Sequence, residues 1–305
     1  MSNSINPKQV SKKYDYIIVG TGIGGATFGY KMAQAGYSVL FLEKGRHATI
    51  INQFPEQSTD FKNNSTEALK NAGRASEQMI DQSHGKSMAF TPYIGSGVGG
   101  SSKLYGMVFE RFADSDFDTA SSSWSLSPKL MNHYYNQAET LYRVRSQPTQ
   151  SKSNIEIEES LANKKIKTYS LARAQTHFRC KGCQGLVCSC QAKVDSEKAC
   201  LNQAISMYHA DLLTDCEVIR IEANAVNVTG LVVNFKNQEL RLTAQNYVLA
   251  GGALATPALL LQSKNQHWPN GLANSSDQVG RNLMRHLIDI YGLYTKNQPE
   301  ASLDL

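Results

Sequence analysis

The sequence lacks three features that would mark a membrane-spanning, secreted or nucleic-acid-binding protein. No stretch approaches the roughly 20 consecutive apolar residues that span a bilayer, so no membrane span is expected. Residues 1–13 are polar and contain no apolar core of a secretory signal, which leads us to expect a cytoplasmic protein. The formal net charge of +5 is scattered, without a long basic run. Nucleic acid is therefore not an expected partner.

Disulfide bonds are also not expected, because the six cysteines would be reduced in a cytoplasmic protein. Four of them, Cys180, Cys183, Cys188 and Cys190, follow a C-x2-C-x4-C-x-C pattern. This spacing is less regular than the paired CxxC motifs of zinc sites. We predict no metal and interpret the four as buried or redox-idle thiols. A zinc ion or iron–sulfur cluster at these four residues is the alternative.

The stretch from Tyr14 to Gly45 has the pattern of a βαβ unit. Residues 14–19 predict a buried strand, residues 20–25 a glycine turn, and residues 26–35 a helix that ends at Gly36. Residues 38–42 predict a second strand, followed by Glu43. Strand, glycines, helix, strand and acidic residue in this order are typical of a dinucleotide-binding fingerprint.

Each residue of this fingerprint has a physical role. Gly20 permits a tight turn, and Gly22 lets the main chain approach a pyrophosphate that faces the helix N-terminus. Gly25, Ala26, Gly29 and Ala33 form a small-residue stripe that predicts close packing of the helix on its sheet. Glu43 suits the acidic residue that accepts hydrogen bonds from a ribose. The unit alone does not separate NAD from FAD.

Two further glycine-rich stretches resemble ligand-binding loops. Residues 94–102 can present several N–H and O–H donors to one anion. Residues 246–250 predict a strand that runs into Gly251 and Gly252, after which Thr256 and Pro257 are expected to start a helix. This repeats the strand–glycine–helix arrangement of the N-terminus and predicts a second close approach of the main chain to a ligand.

The rest of the chain predicts insertions and a β-meander. Residues 46–90 are polar and predict a surface excursion. Ser127 and Pro128 predict a helix start, and the apolar stripe from Leu130 to Tyr142 predicts core packing. Residues 155–163 and 198–208 predict further helices. Four alternating segments, 217–222, 226–229, 231–235 and 239–243, predict a meander.

Five stretches in this order resemble the glucose-methanol-choline (GMC) oxidoreductase family. They are the fingerprint with Glu43, residues 99–102, residues 124–139, residues 252–257 with the two leucines that follow, and residues 279–283 with His286. The resemblance implies an α/β fold, a Rossmann-like FAD/NAD(P)-binding domain with a β-meander and helical insertions. It also implies FAD as the cofactor.

The resemblance assigns cofactor-binding roles to residues of all three glycine stretches. The backbone at Val218 would meet the adenine, and Gly251 and Gly252 would lie near the cofactor. The implied residues are Gly20, Gly22, Gly24, Gly25, Glu43, Lys44, Gly99, Gly100, Ser101, Ser102, Val218, Gly251 and Gly252. Many members carry an asparagine close to the flavin where this chain has Tyr105, which departs from the family pattern.

The implied reaction is oxidation of a small-molecule alcohol by hydride transfer to flavin, with oxygen or another electron acceptor left open. The catalytic histidine of the family lies near the C-terminus of much longer members, so we assign no catalytic residue. We expect His286 to have a packing or flavin-neighbour role and not that of a base. We expect residues 1–13 to be a disordered tail, residues 14–290 an FAD-binding domain with insertions at about 46–90 and 110–195, and residues 291–305 the start of a truncated substrate-binding region.

We therefore expect this chain to be the FAD-binding half of such an enzyme. Two alternatives belong to other classes. One is a non-catalytic flavoprotein module, which includes a half that pairs with a separate C-terminal chain. The other is an electron-transfer dehydrogenase subunit with a cluster bound by the cysteines.

Overall fold

The protein alternates strands and helices, as a computed structural model shows. The described residues are 13–51, 53–57, 61–82, 85–117, 126–146, 152–176, 183 and 185–284. Their strands are β1 (Tyr14–Val19), β2 (Val39–Leu42), β3 (Met79–Asp81), β4 (Met88–Phe90), β5 (Val144–Arg145), β6 (Arg173–Ala174), β7 (Asp211–Leu213), β8 (Cys216–Ala223), β9 (Val228–Phe235), β10 (Gln238–Leu242) and β11 (Ala244–Leu249). Their α-helices are α1 (Ile23–Gln34), α2 (Phe61–Asn71), α3 (Pro128–Tyr142), α4 (Lys152–Asn163), α5 (Asn202–Tyr208) and α6 (Gly252–Gln262). The predicted α/β fold is confirmed.

A four-stranded parallel sheet, in the order β11-β1-β2-β7, lies at the centre. Parallel strands need a crossover connection, which α1 supplies between β1 and β2. Because the strands run in the same direction, their carboxyl ends lie at one edge of the sheet. Gly20, Glu43 and Ala250 follow β1, β2 and β11 at that edge.

Apolar side chains cover both faces of this sheet. Ile18 and Phe41 pack with α1 and α5 on one face, whereas Ile17 and Leu40 pack with the meander and Leu259 of α6 on the other. Strands that are buried on both faces read as continuous apolar runs. This explains why β2 is buried at all four of its positions.

The small-residue stripe on α1 packs as its spacing predicts. Gly25, Ala26, Gly29 and Ala33 are all buried. A Cβ at Gly29 would lie 2.3 Å from the Phe41 ring and 2.5 Å from the Cδ1 atom of Ile18. The helix axis therefore lies closer to the sheet than a larger side chain at position 29 would allow.

The meander has three strands where the sequence pattern predicts four. Residues 226–229 and 231–235 belong largely to the single strand β9, which continues through Gly230. The side chain of Arg241 on β10 fills the space beside Gly230, because a Cβ there would lie 2.9 Å from its Nη2 atom. The glycine therefore leaves room for a cross-strand neighbour and does not end the strand.

The start of α6 also differs from the prediction. The helix begins at Gly252, directly after the glycine pair, and Pro257 lies inside it. Proline has no N–H group, so the helical hydrogen bond from position 257 to the carbonyl of Ala253 is absent. The glycine at position 252, with φ of +89°, provides the helix start that we assigned to Thr256.

The predicted insertions lie outside the parallel sheet. The first contributes α2 and the β3–β4 hairpin, and the second contributes α3, α4 and the short β5–β6 pair. Ser127 caps α3, as predicted, because its Oγ atom accepts a hydrogen bond from the N–H of Leu130 at 3.2 Å. The predicted core stripe of α3 is wrong in part: Tyr142 is buried, but Tyr134 is 55% exposed. No described helix is both long enough and apolar enough to cross a membrane.

We expect Gly29→Ala to destabilise the fold, because its methyl group would overlap the Phe41 ring. Overpacking of this kind costs about 1–3 kcal/mol of the free energy of unfolding. Urea denaturation of the 305-residue chain measures the change. Gly24→Ala in the same helix is the matched control, since a Cβ there meets no atom within 4 Å. Equal stability of the two variants would contradict the packing argument.

Candidate functional site: three glycine turns at the edge of the sheet

The first turn, after β1, is built from contacts between main-chain segments. Gly20 has φ of +100°, and a Cβ there would lie 2.5 Å from the carbonyl oxygen of Ala250. A Cβ at Gly25 would lie 2.1 Å from the carbonyl oxygen of Gly20. Both positions therefore require glycine. The tight turn predicted at Gly20 is present.

Gly22 and Gly24 have different surroundings. Gly22 precedes α1 in an extended conformation, and no side chain caps the helix there. A Cβ at either glycine would meet no protein atom within 4 Å. Packing thus gives no reason for glycine at these two positions, whereas a ligand that approaches the main chain does. The N–H groups of the first turn of α1 also favour an anion here.

The second glycine loop lies directly against the first turn. Gly99 and Gly100 both have positive φ angles, of +92° and +54°. A Cβ at Gly100 would lie 2.9 Å from the Cα atom of Gly22. Ser101 is exposed and accepts a hydrogen bond from the N–H of Gly95 at 3.0 Å. The loop therefore forms a second wall beside the open glycines of α1.

Glu43 is buried behind the first turn, with 6% of its surface exposed. Its Oε2 atom accepts hydrogen bonds from the N–H and the hydroxyl of Thr21, at 3.1 and 2.7 Å. Its Oε1 atom accepts from the N–H of Gly45 at 3.1 Å. Burial raises the pKa of Glu43, and these hydrogen bonds oppose the rise only in part. The carboxylate thus fixes the turn after β1 to the end of β2.

A buried hydroxyl network joins the first turn to the second loop. The Thr21 hydroxyl accepts from the N–H of Gly99 at 3.1 Å, and the Ser102 hydroxyl donates to the Gly99 carbonyl at 2.6 Å. Ser196, which the sequence analysis missed, donates to the Thr21 carbonyl at 2.9 Å. Ser196 stands directly before the helical segment 197–201, a position that is typical of a helix cap. Its hydroxyl nevertheless makes no capping bond.

The third turn meets the first at its base. The N–H of Ala250 donates to the carbonyl of Val19 at 2.8 Å. A Cβ at Gly20 would lie 3.3 Å from the Cα atom of Gly251. Gly252 is exposed, and a Cβ there would meet no atom within 4 Å. The structure therefore brings Gly251 and Gly252 to the same edge as the first two glycine turns.

The two remaining candidates, Val218 and Lys44, lie at the margin of this edge. Val218 is on β8, with its side chain in the core, and β8 begins where the N–H of Cys216 donates to the Glu43 carbonyl at 3.0 Å. The Lys44 ammonium pairs with Glu77 at 2.7 Å. His286 lies outside the described residues. Tyr105, where the sequence departs from the family pattern, donates its hydroxyl proton to the Val194 carbonyl at 2.6 Å.

Comparison with known families matches residues 14–288 to the GMC oxidoreductase family, which is most of the chain. The protein belongs to the GMC oxidoreductase family. This confirms the resemblance drawn from the five sequence stretches.

Named GMC relatives show the range of similarity. A 2-methyl-1,2-propanediol dehydrogenase from Mycolicibacterium austroafricanum is 23% identical over 312 residues, covering 90% of this chain and 55% of that protein. A long-chain-alcohol oxidase from Arabidopsis thaliana is 26% identical over 293 residues, covering 90% and 36%. The large subunit of a fructose dehydrogenase from Gluconobacter japonicus is 37% identical over 79 residues, covering 25% and 14%.

A solved structure supports the fold. Pyridoxine 4-oxidase from Mesorbium loti superposes with a TM-score of 0.55 at 19% identity, covering 82% of this chain and 52% of that one. This chain spans about half of that protein and of the dehydrogenase from Mycolicibacterium austroafricanum, and a smaller share of the other two relatives.

A cluster of charged side chains flanks the second loop of this GMC chain, and the sequence analysis did not single it out. The Lys103 ammonium lies 3.1 Å from Asp195 and 2.5 Å from Glu197, and Glu197 also pairs with His47 at 3.1 Å. Burial lowers the pKa of Lys103, but the two carboxylates outweigh it and the pKa lies above its usual value. The cluster therefore holds Lys103, the residue after Ser102, in a charged and fixed position.

The cysteine segment lies next to this cluster. Cys183, Cys188 and Cys190 are thiols, and the Cys188 and Cys190 sulfur atoms are 3.6 Å apart. Cys180 lies outside the described residues. Within the described part of the chain, no three His, Cys, Asp or Glu side chains are arranged to hold a metal ion.

We expect Glu43 to make the stability of the chain depend on pH. A carboxyl whose pKa is higher in the folded chain than in the unfolded chain binds its proton more tightly when folded. Its contribution to the free energy of unfolding is fully present below the unfolded pKa and is lost as pH rises through the folded pKa. The free energy of unfolding of the wild type should therefore fall, relative to that of Glu43→Gln, as pH rises from about 4 to about 7.

Urea titrations across this pH range measure the difference. Glu239→Gln, at an exposed position on β10, is the matched control and should follow the wild type at every pH. Wild-type and Glu43→Gln curves that run parallel would show that this carboxyl has the same pKa in both states.

Proposed function

We propose that this chain is the FAD-binding part of an oxidoreductase that oxidises alcohols. The observation that carries the proposal is the open main-chain surface at Gly22 and Gly24, where an added Cβ meets no protein atom. It lies at the N-terminus of α1, whose first N–H groups have no acceptor within the helix, and Gly100 lines the same space. A pyrophosphate is the part of a dinucleotide that such a surface binds.

The residues around this space fit a dinucleotide. A carboxylate offers about four acceptor positions, and Glu43 uses three of them for Thr21 and Gly45. One position thus remains for a ribose hydroxyl. Gly22 and Gly24 would hold the pyrophosphate with their main chain, and Gly99 and Gly100 would line the space beside it.

The other candidates complete the proposed site. The backbone of Val218 would lie against the adenine, and Gly251 and Gly252 would approach the cofactor from the third turn. Gly20, Gly25 and Ser102 hold the turns in place. At the rim, Ser101 is exposed and Lys44 is half-buried. When bound, the flavin would supply the acceptor for a hydride from the alcohol carbon.

The names of the relatives support the substrate class. They name a diol, a long-chain alcohol and a sugar, which all carry a CH–OH group. Both dehydrogenase and oxidase occur among these names, so they favour no single electron acceptor. One relative is named as a large subunit, which supports a separate partner chain as part of the proposal. No described residue is assigned as the catalytic base.

We expect the purified chain to retain FAD after desalting and Gly22→Val to lose it. The valine side chain would enter the open space at the N-terminus of α1, where no protein atom lies within 4 Å of its Cβ. FAD affinity should fall at least about 10-fold, which corresponds to about 1.4 kcal/mol, while the melting temperature of the FAD-free chain stays near that of the wild type. Visible absorption of the desalted protein and FAD titration measure the effect.

Ala35→Val, at the exposed other end of α1, is the control and should bind FAD like the wild type. A folded wild-type chain, verified by circular dichroism, that retains no flavin would overturn the proposed cofactor.

Anaerobic addition of a diol, a sugar or a long-chain alcohol to the FAD-loaded chain tests the proposed reaction. We expect the flavin absorption bands to bleach, because the hydride reduces the flavin. Retained flavin that none of these alcohols bleaches would overturn alcohol oxidation by this chain and leave FAD binding intact.

A further inference from the structure

The segment from Cys183 to Cys190 places two sulfur atoms in contact. The Sγ atoms of Cys188 and Cys190 are 3.6 Å apart, about 1.5 Å more than the length of a disulfide bond. Only one residue separates the two cysteines, so the chain keeps their two sulfur atoms close together. Neither the dinucleotide site nor the proposed hydride transfer uses these thiols.

Cys188 is reachable from solvent through a cavity, although its own surface is only 9% exposed. The cavity has a volume of about 210 Å³. Its lining includes His47, Lys103, Cys188, Lys193, Asp195 and Glu197. Lys103 pairs with the Asp195 and Glu197 carboxylates that line the same cavity, so the charges around it are balanced. A small reagent that enters the cavity lies beside Cys188.

The surroundings of Cys188 favour its thiolate form. The backbone N–H of Lys193 donates to its sulfur at 3.5 Å, and a hydrogen bond to sulfur stabilises the negative charge. Burial raises the pKa of Cys188, but hydrogen bonds from Lys193, Cys183 and Cys190 outweigh it, so the pKa is lowered overall. A thiolate is the form that attacks a disulfide.

The other two described cysteines have the opposite character. Cys200 and Cys216 are buried in the two cores, at 0% and 1% exposure. Burial raises the pKa of both thiols, and that of Cys216 reaches about 12. They are inert packing residues, which makes them internal references for reactivity.

We propose that Cys188 and Cys190 form a thiol–disulfide exchange site for a low-molecular-weight disulfide. The Cys188 thiolate attacks one sulfur of that reagent, a mixed disulfide forms, and the other half leaves as a thiolate that takes a proton from water. Cys190 then loses its proton to solvent and attacks the Cys188 sulfur, which releases the second half of the reagent as a thiol. Two protein thiols are oxidised to one disulfide, and one reagent disulfide is reduced to two thiols.

This inference does not depend on the proposed flavin function, because no flavin takes part in the exchange. The test treats the reduced 305-residue chain with oxidised glutathione, alkylates the remaining thiols and maps the peptide that contains residues 182–193 by tandem mass spectrometry. We expect a Cys188–Cys190 disulfide, seen as a loss of about 2 Da that dithiothreitol reverses.

Two variants identify the partners. Cys190→Ser should stop at the first step and carry one glutathione on Cys188, a gain of about 305 Da. Cys183→Ser removes the third thiol of the segment, and the disulfide should still join Cys188 and Cys190. Its rate of formation can change, because Cys183 makes a hydrogen bond to Cys188. Cys200 and Cys216 should alkylate at least about 10-fold more slowly than Cys188 in the native chain.

Three outcomes would overturn the proposal. One is an internal disulfide that survives in Cys190→Ser, because it would show a different partner for Cys188. Another is glutathione on Cys183 of the wild type while Cys188 and Cys190 remain reduced. The third is a folded wild-type chain whose segment does not react. The wild-type mapping decides among these results even if a variant fails to fold.

Discussion

Three turns of the main chain meet at one edge of the parallel sheet, and they can do so only because side chains are missing there. Gly20 contacts Ala250 of the third turn, and Gly100 of the second loop contacts Gly22. A methyl group at Gly20 or Gly100 would lie within 3 Å of main-chain atoms, which cannot move aside as a flexible side chain can. The relative position of the three turns, and hence the proposed dinucleotide site, depends on these contacts.

Buried polar groups stabilise the same arrangement. Glu43, Thr21 and Ser196 are buried, and a buried polar group is costly unless it has hydrogen-bond partners. The Glu43 carboxylate accepts three hydrogen bonds. The Ser196 hydroxyl lies within hydrogen-bond distance of the carbonyls of Thr21 and Gly99. The network therefore favours one relative position of the loops, which a site made of main-chain N–H groups requires.

The local parts of this architecture could be predicted from sequence. β1, α1 and β2 follow from apolar runs, glycines and Gly36 within about 30 residues, because each signal lies beside the element that it specifies. The second and third glycine stretches were also identified by their composition. Their convergence with the first turn followed from the family resemblance, since no local pattern states which loops meet.

The missed features depend on contacts between distant residues. Ser196 binds Thr21 across 175 positions, so its role is invisible in the flanking residues. β9 continues through Gly230, which pairs with Glu222 of β8, and Arg241 of β10 fills the space beside the glycine. The ion pairs of Lys103 with Asp195 and Glu197 join residues more than 90 positions apart, so the sequence around Lys103 does not indicate them. In each case the local signal was weak or pointed to a cap or a turn, and tertiary packing decided the outcome.

One short segment connects the thiols to the glycine turns. Lys193 is 2% exposed, and its ammonium donates to the carbonyls of Lys103 and Leu186 at 2.9 and 3.1 Å. A buried ammonium without such acceptors would be strongly destabilising, so these two carbonyls must stay where they are for Lys193 to remain inside. Its backbone N–H meets the Cys188 sulfur, and three residues later Ser196 bonds to the first turn. Lys193 therefore contacts both the cysteine segment and the residue that follows the second glycine loop. A change in the geometry of Cys188 would act on Lys193, which also supports that loop.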